Sequence, residues 1–192
     1  MYNKKFILSH LISITKPLVL CIQECFFLSD ETVRSLNAFF DDYFIYYKNR
    51  VRVGTANPGG GVAILVHKTV PHTLLPLNTA LEAIAINVKH ANKDVSICSL
   101  YVPQPRLISL EQLNHLSSQL NDHRVIMGDF NAHHPSWGSL RVDSAGQMVS
   151  NFITLSDNVL LNTGEPTRIC PANGTPTHID LTLASPRLSL DI

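Results

Sequence analysis

The stretch Val125-Ile126-Met127-Gly128-Asp129-Phe130-Asn131-Ala132-His133-His134-Pro135 is an apolar run that stops at a glycine and then presents Asp, Asn and two His. It reads as a buried strand ending in reactive side chains. Ligands of layered α/β proteins collect where strands end, because the sheet holds the side chains rigidly while the following loop reaches solvent. Gly128 allows the backbone to turn or to approach a ligand closely. Asp129 can serve as a general base or a hard-metal ligand, and Asn131 can donate a neutral hydrogen bond from the same side of an extended backbone. Gly-Asp-Phe-Asn also suits an ordinary Asx turn, in which the side chains satisfy their own backbone. The rest of the chain decides between them.

Upstream, Leu18 to Ile22 is a short continuous apolar run, expected as a buried strand that ends at Gln23-Glu24. Before it, Phe6, Ile7, Leu11 and Ile14 share one helical face that Pro17 ends. Ser29 or Asp30 can cap a helix carrying Val33, Leu36 and Phe40, followed by an aromatic strand from Tyr43 to Tyr47. Asn57-Pro58-Gly59-Gly60-Gly61 predicts a tight hairpin into a strand from Val62 to Val66. It lacks the Lys-Ser/Thr and the helix that a phosphate loop requires. Ile84, Ile86 and Val88, then Val95, Ile97, Ser99 and Tyr101, alternate as a second hairpin turning at Ala91-Asn92-Lys93.

Pro103 and Pro105 end that strand just past Tyr101. Ser109 with Gln112 forms a capping box for a helix with a Leu113, Leu116, Leu120 stripe. After the Asp129 strand come an amphipathic helix through Met148, Val149, Phe152 and Ile153, a strand at Val159 to Leu161, and a last strand from Ile179 to Leu183 that carries Asp180. This order, with hairpins mixed among helices, predicts two sheets packed face to face with helices outside. Glu24, Tyr101, Asp129 and Asn131 then converge at the ends of three strands, as an active site requires.

At 192 residues and 45% hydrophobic content, the chain can bury one substantial core and is short for two. Fifteen Lys and Arg balance fifteen Asp and Glu, so no global positive field draws the protein to nucleic acid, and affinity for DNA has to come from local contacts or a metal. Lys48, Arg50 and Arg52 alternate on one strand face, where a solvated edge is favoured over phosphate contact. Cys21, Cys25, Cys98 and Cys170 lack the spacing of a zinc site and are expected as reduced, buried thiols. No apolar stretch reaches the roughly 18 to 20 residues of a membrane span. His10, Lys16 and Pro17 interrupt the faint likeness of the start to a secretory signal, so an intracellular protein is expected.

With these residues in place, the chain resembles the endonuclease/exonuclease/phosphatase superfamily. Ile22-Gln23-Glu24 is similar to its metal-binding glutamate motif, Leu100-Tyr101-Val102-Pro103 to its tyrosine strand, Gly128-Asp129-Phe130-Asn131 to its central motif and Ile179-Asp180-Leu181 to its late aspartate strand. Gly59 to Val66, Asn131 to Ser139, Asn162 to Thr167 and Ile179 to Ser185 further resemble the endonuclease domain of non-LTR retrotransposon polyproteins, especially the jockey-like group of arthropods. The resemblance implies an α/β fold, a four-layer α/β sandwich of two facing mixed β-sheets flanked by helices. It implies a domain over 1–192 that is incomplete at both termini, lacking the first strand with its active-site Asn and the terminal Ser-Asp-His strand. On that ground the chain as written is expected to be inactive or very slow.

Carried over residue by residue, the resemblance makes Glu24 the ligand of Mg2+, or of Mn2+ in its place, a hard ion that prefers carboxylate and water oxygens. It makes Asp129 the group that orients or deprotonates the attacking water, and it sets Asn131 and Tyr101 on the phosphate oxygens. Asp180 would orient a catalytic His. His178 is poorly placed for that part, since residues two apart on a strand point the same way. His133 and His134 point apart and lack a third ligand, which favours hydrogen bonding at the rim of the substrate cleft over metal binding. Trp137 is expected at that rim too, mainly as a loop anchor packed on the core.

The implied activity is metal-dependent nicking of DNA that leaves a 3′-hydroxyl primer for the reverse transcriptase domain of the same polyprotein, in the nucleus and away from membranes. A catalytically silent remnant and a small-molecule phosphatase are the alternatives.

Overall fold

The computed structural model describes residues 5–26, 29–37, 40–50, 59–90, 92–170 and 174–189. Five helices are described: α1 (Lys5–Thr15), α2 (Asp30–Asn37), α3 (Leu110–Ser117), α4 (Ser144–Leu155) and α5 (Pro186–Ser189). The strands are β1 (Val19–Gln23), β2 (Tyr43–Lys48), β3 (Val62–His67), β4 (His72–Leu75), β5 (Glu82–His90), β6 (Lys93–Tyr101), β7 (His123–Asp129), β8 (Val159–Leu160), β9 (Arg168–Ile169), β10 (Pro176–Thr177) and β11 (Asp180–Ala184). One sheet runs β1-β3-β2, a second β4-β5-β6-β7-β11-β8, and β9 and β10 form a separate ribbon. The larger sheet is mixed, with β6 and β7 parallel and the other neighbours antiparallel.

Side-chain alternation makes four layers of this. One face of β3 directs Val62, Ile64 and Val66 onto Ile84, Ile86, Val88 and Val95 of the large sheet, closing the space between the sheets. The opposite face, Ala63 and Leu65, packs on Ile12 of α1 and on Leu36 and Phe40 at α2. On the far side, Leu100, Ile126, Leu181 and Leu183 meet Leu113 and Leu116 of α3 and Val149 and Phe152 of α4. Helix ends follow their sequence signals. Ser29 Oγ accepts from Thr32 N at 3.1 Å, and Ser109 and Gln112 make the reciprocal capping box of α3.

Three expectations are corrected. In α1, Phe6, Ile7, Leu11 and Ile14 face outward, and it is Leu8 and Ile12 that pack inward, because the helix is apolar on more than one side. The hairpin β2–β3 is antiparallel as expected but not tight, since residues 49–61 join its strands; Asn57 and Pro58 lie outside the described residues. Of the four cysteines, all free thiols, Cys25 and Cys98 are buried while Cys21 and Cys170 are partly exposed. The sequence reading also lacked β4, β9 and β10, which are too short to show a period. No helix among the described residues is long and apolar enough to cross a membrane.

The small sheet covers only part of the large one. β1 has β3 as its sole strand partner among the described residues, and beyond it the inward-facing Val125, Met127 and Thr182 stay half-buried while the helix-facing Ile126, Leu181 and Leu183 are buried. Gly128, expected to serve a turn or a ligand, instead permits the close pairing of β7 with β6: a methyl group there would fall on the backbone carbonyl of Leu100. Gly128→Ala should therefore destabilise the fold by about 1–3 kcal/mol in urea unfolding, the usual range for overpacking. A loss below about 0.5 kcal/mol, typical of a neutral surface change, would contradict this packing.

Candidate functional site

Strand register builds the site. Glu82 of β5 lies opposite Tyr101 of β6, Tyr101 beside Asp129 of β7, and Asp129 opposite Asp180 of β11. Paired residues point to the same face, so these four polar side chains form one transverse row on the face toward the small sheet. The next residues inward on that face are Ile84, Ser99, Met127 and Thr182, all uncharged. The polar row is thus confined to the sheet's end.

Glu24 joins the row from the other sheet. Gln23 donates from Nε2 to Ser99 Oγ across the interior at 3.0 Å, and strict alternation would then turn Glu24 toward the helices. Glu24 instead adopts φ 52°, a left-handed conformation disfavoured by about 1–2 kcal/mol in most residues. Its exposed carboxylate accepts from Tyr101 Oη at 2.5 Å through Oε1. Burial, the bond to Glu24 and the charges of Glu24 and Asp129 raise the Tyr101 pKa, against the pull of Arg50. The phenol remains a proton donor.

Asp129 is 8% exposed. Burial first, then the charges of Asp180 and Glu24, push its pKa up to about 6, although the bond from Asn131 and the charge of Arg168 oppose this. Burial likewise raises Asp180, with Glu24 adding to it and Thr167 and Arg168 opposing. The Asx turn and the reactive strand end prove to be the same object: Asn131 N donates to Asp129 Oδ1 at 2.9 Å. Asn131 has φ 47°, so it does not continue the extended backbone, and its Nδ2 donates to Val102 O at 3.0 Å. That bond holds the amide between the ends of β6 and β7.

The expected rim is only partly met. Trp137 is fully buried in the helix-side core and donates from Nε1 to Ala132 O at 3.1 Å, so it anchors the loop and does not line a rim. His134 is half-buried, its Nδ1 engaged with Ser136. His133 lines a cleft of about 600 Å³ with Arg141, Cys170 and His178, two residues on from Asn131. His178 packs against Gly138 in the loop before β11 rather than on the strand. Sequence reading missed Glu82, Arg168, Thr167 and Asn162. Thr167 Oγ1 accepts from Asp180 N at 3.1 Å, and Asn162 bridges β11 by donating to Asp180 O at 2.8 Å and accepting from Thr182 N at 2.8 Å. Only the short Asn-Thr-Gly-Glu-Pro-Thr segment could have signalled the last two.

All the donors gathered here are oxygens. Among the described residues no three His, Cys, Asp or Glu side chains are grouped to enclose a cation. Oxygen donors of this kind suit a hard divalent ion. Softer zinc coordination does not fit them. Chemically, the row combines a raised carboxyl that can exchange protons near neutral pH, a phenol donor and an amide donor around one point.

A family model described as the endonuclease/exonuclease/phosphatase family matches residues 3–191. The chain is 30% identical over 130 residues, 66% of its own length, to a probable RNA-directed DNA polymerase from the transposon X-element of Drosophila melanogaster. It is 25% identical over 131 residues, 67% of its length, to the RNA-directed DNA polymerase from the mobile element jockey of the same species. In each case the match spans 14% of the relative. Among solved structures, the endonuclease domain of TRAS1, a telomere-specific non-LTR retrotransposon, superposes with a TM-score of 0.73 at 18% identity, covering 94% of this chain and 77% of that one.

The raised Asp129 pKa has a measurable consequence. Its ordinary value is 3.8 and its folded value about 6, so the folded state binds the proton more tightly and loses stability as pH rises between them. Above pH 6 the carboxylate is ionised in both states and the folded state carries the full desolvation penalty. Asp129→Asn keeps the acceptor for Asn131 N and removes the charge. With divalent ions chelated, the variant should be more stable than the parent above pH 6 by about 2–3 kcal/mol, the gain shrinking as pH falls to 4. Equal stability at both ends of this range would show that Asp129 is not desolvated.

Proposed function

This chain belongs to the endonuclease/exonuclease/phosphatase family, and from that premise we propose that it is the nicking endonuclease domain of a non-LTR retrotransposon, cutting one DNA strand to leave a 3′-hydroxyl. The observation that carries this is the single row of Tyr101, Asp129 and Asp180 with Glu24 bonded across to it. Three strand residues and Glu24, just past the end of β1, thereby address one small volume, the arrangement needed to act on one phosphate.

Glu24 would hold Mg2+, or Mn2+ in its place, and the ion when bound supplies positive charge to the phosphate oxygens. Asp129, poised near neutral pH, takes the proton of the attacking water. Asn131, and Tyr101 once its single hydroxyl proton is released from Glu24, donate hydrogen bonds to the oxygens on which charge builds, an interaction strongest in the transition state. Asp180 stands behind Asp129 as the orienting carboxylate for the imidazole that completes such a relay in the family. The mobile-element relatives favour DNA over a small-molecule phosphate ester. They also suggest the partner, a reverse transcriptase domain of the same polyprotein that would extend the new 3′ end in the nucleus.

Two measurements test this. Glu24→Gln should weaken Mg2+ binding at least tenfold by calorimetry, since Glu24 is the carboxylate best open to solvent; equal affinity in variant and parent removes the metal assignment. Supercoiled plasmid should be nicked by this chain only with Mg2+. Asp129→Ala should abolish the nicking. Absence of Mg2+-dependent nicking, or nicking that survives Asp129→Ala, rules the nuclease reading out.

A further inference from the structure

The cations at the end of β2 and the glycine run before β3 lie side by side. Lys48 is turned inward and its Nζ donates to Thr79 O and Leu81 O at 2.9 and 3.0 Å, and Arg52 lies outside the described residues. Arg50 takes another path. Its Nε donates to Glu82 Oε1 at 2.6 Å, and Glu82 Oε2 accepts from Gly61 N at 2.5 Å. Gly60, at φ 87°, lies so close beneath the guanidinium that a methyl group there would coincide with it. The guanidinium carbon stands 5.8 Å from the centre of the Tyr101 ring. Glu82 is itself the member of the transverse row next to Tyr101.

We propose that Arg50 is a phosphate-contacting residue of this site, held by Glu82 on the glycine turn beside Tyr101 so that its terminal nitrogens meet a backbone phosphate of bound DNA. The proposal rests on the nuclease reading and adds to it a cation that the sequence had assigned to a solvated edge. Electrostatics supplies the need. Glu24, Glu82, Asp129 and Asp180 crowd one end of a chain whose net charge is zero, so a polyanion reaching them has to meet positive charge locally. The guanidinium supplies the means, because it is a planar fork that can give Nε to one carboxylate and its far edge to an oxyanion. About a third of the Arg50 side chain is exposed while Glu82 is nearly covered (34% and 11%), so the guanidinium is anchored on Glu82, interacts with Tyr101 and still meets solvent. A lysine amine cannot bridge two such partners in fixed geometry.

The test is equilibrium binding of a fluorescent DNA duplex, with divalent ions chelated, across a series of salt concentrations. Each phosphate contact contributes about 0.9 to the slope of log affinity against log salt. Arg50→Met should bind about tenfold more weakly at low salt, as expected for loss of a charge-assisted bond, with a slope shallower by about 0.9. Arg50→Lys preserves the charge should the methionine variant fail to fold, and it should also bind more weakly than the parent. Arg187→Met, which removes the exposed pair with Asp122 at α5, should leave the slope unchanged. Parental affinity and slope in both Arg50 variants would overturn the proposal. If the parent shows no affinity for duplex, the DNA reading fails, and the contact is judged alone by the Arg50 Nε–H resonance during titration with dimethyl phosphate. Movement of that signal upholds phosphate contact, and a stationary signal overturns it.

Discussion

The pairing of β7 between β6 and β11 is the constraint on which the site depends. A strand shifted by one residue turns every side chain to the opposite face. Such a slip would bury Asp129 against α3 and α4 and set Gly128 among the polar residues. The chain fixes the register where it matters. Val102 N donates to Asp129 O and Phe130 N to Ile179 O, at 2.9 and 2.8 Å, just beyond the last paired residues. Phe130, fully buried on the helix side, locks the same alternation from the other face.

Given that register, the two sheets need only meet at their reactive ends. Gln23 with Ser99 and Glu24 with Tyr101 are consecutive links across the gap. The first is internal and neutral, while the second is exposed and charged. The left-handed backbone at Glu24 and again at Asn131 is where the fold gives up local comfort for placement. Burial and the charge of Glu24 raise the pKa of Asp129 and of Asp180, a tension that a bound cation or an added arginine relieves. The site is therefore organised around charge it does not fully neutralise by itself.

Much of this was legible in the sequence, because the informative signals were local. Glu24, Tyr101, Asp129 and Asp180 each follow an apolar run of strand length, so their position at strand ends could be read from periodicity and punctuation alone. Trp137 was less legible, since an aromatic residue in a polar loop looks the same whether it faces ligand or core. The inward face of α1 was ambiguous for a related reason: apolar residues occupy more than one of its sides. Glu82 and Arg50 were out of reach because their meaning is a pairing across 32 positions, set by tertiary register. The triple glycine was read as a turn, but its use as a seat for a guanidinium becomes visible only with the arginine in place.

The central claim is that one divalent ion sits beside Glu24 at the end of the Tyr101–Asp129–Asp180 row. Crystals of this chain soaked in Mn2+ and recorded at the manganese absorption edge test it most directly. The account predicts an anomalous peak within coordination distance of the Glu24 carboxylate, about 2.0–2.2 Å, on the side facing Asp129. Strong peaks confined to other surfaces, with the Glu24 carboxylate bare at saturating Mn2+, would contradict it.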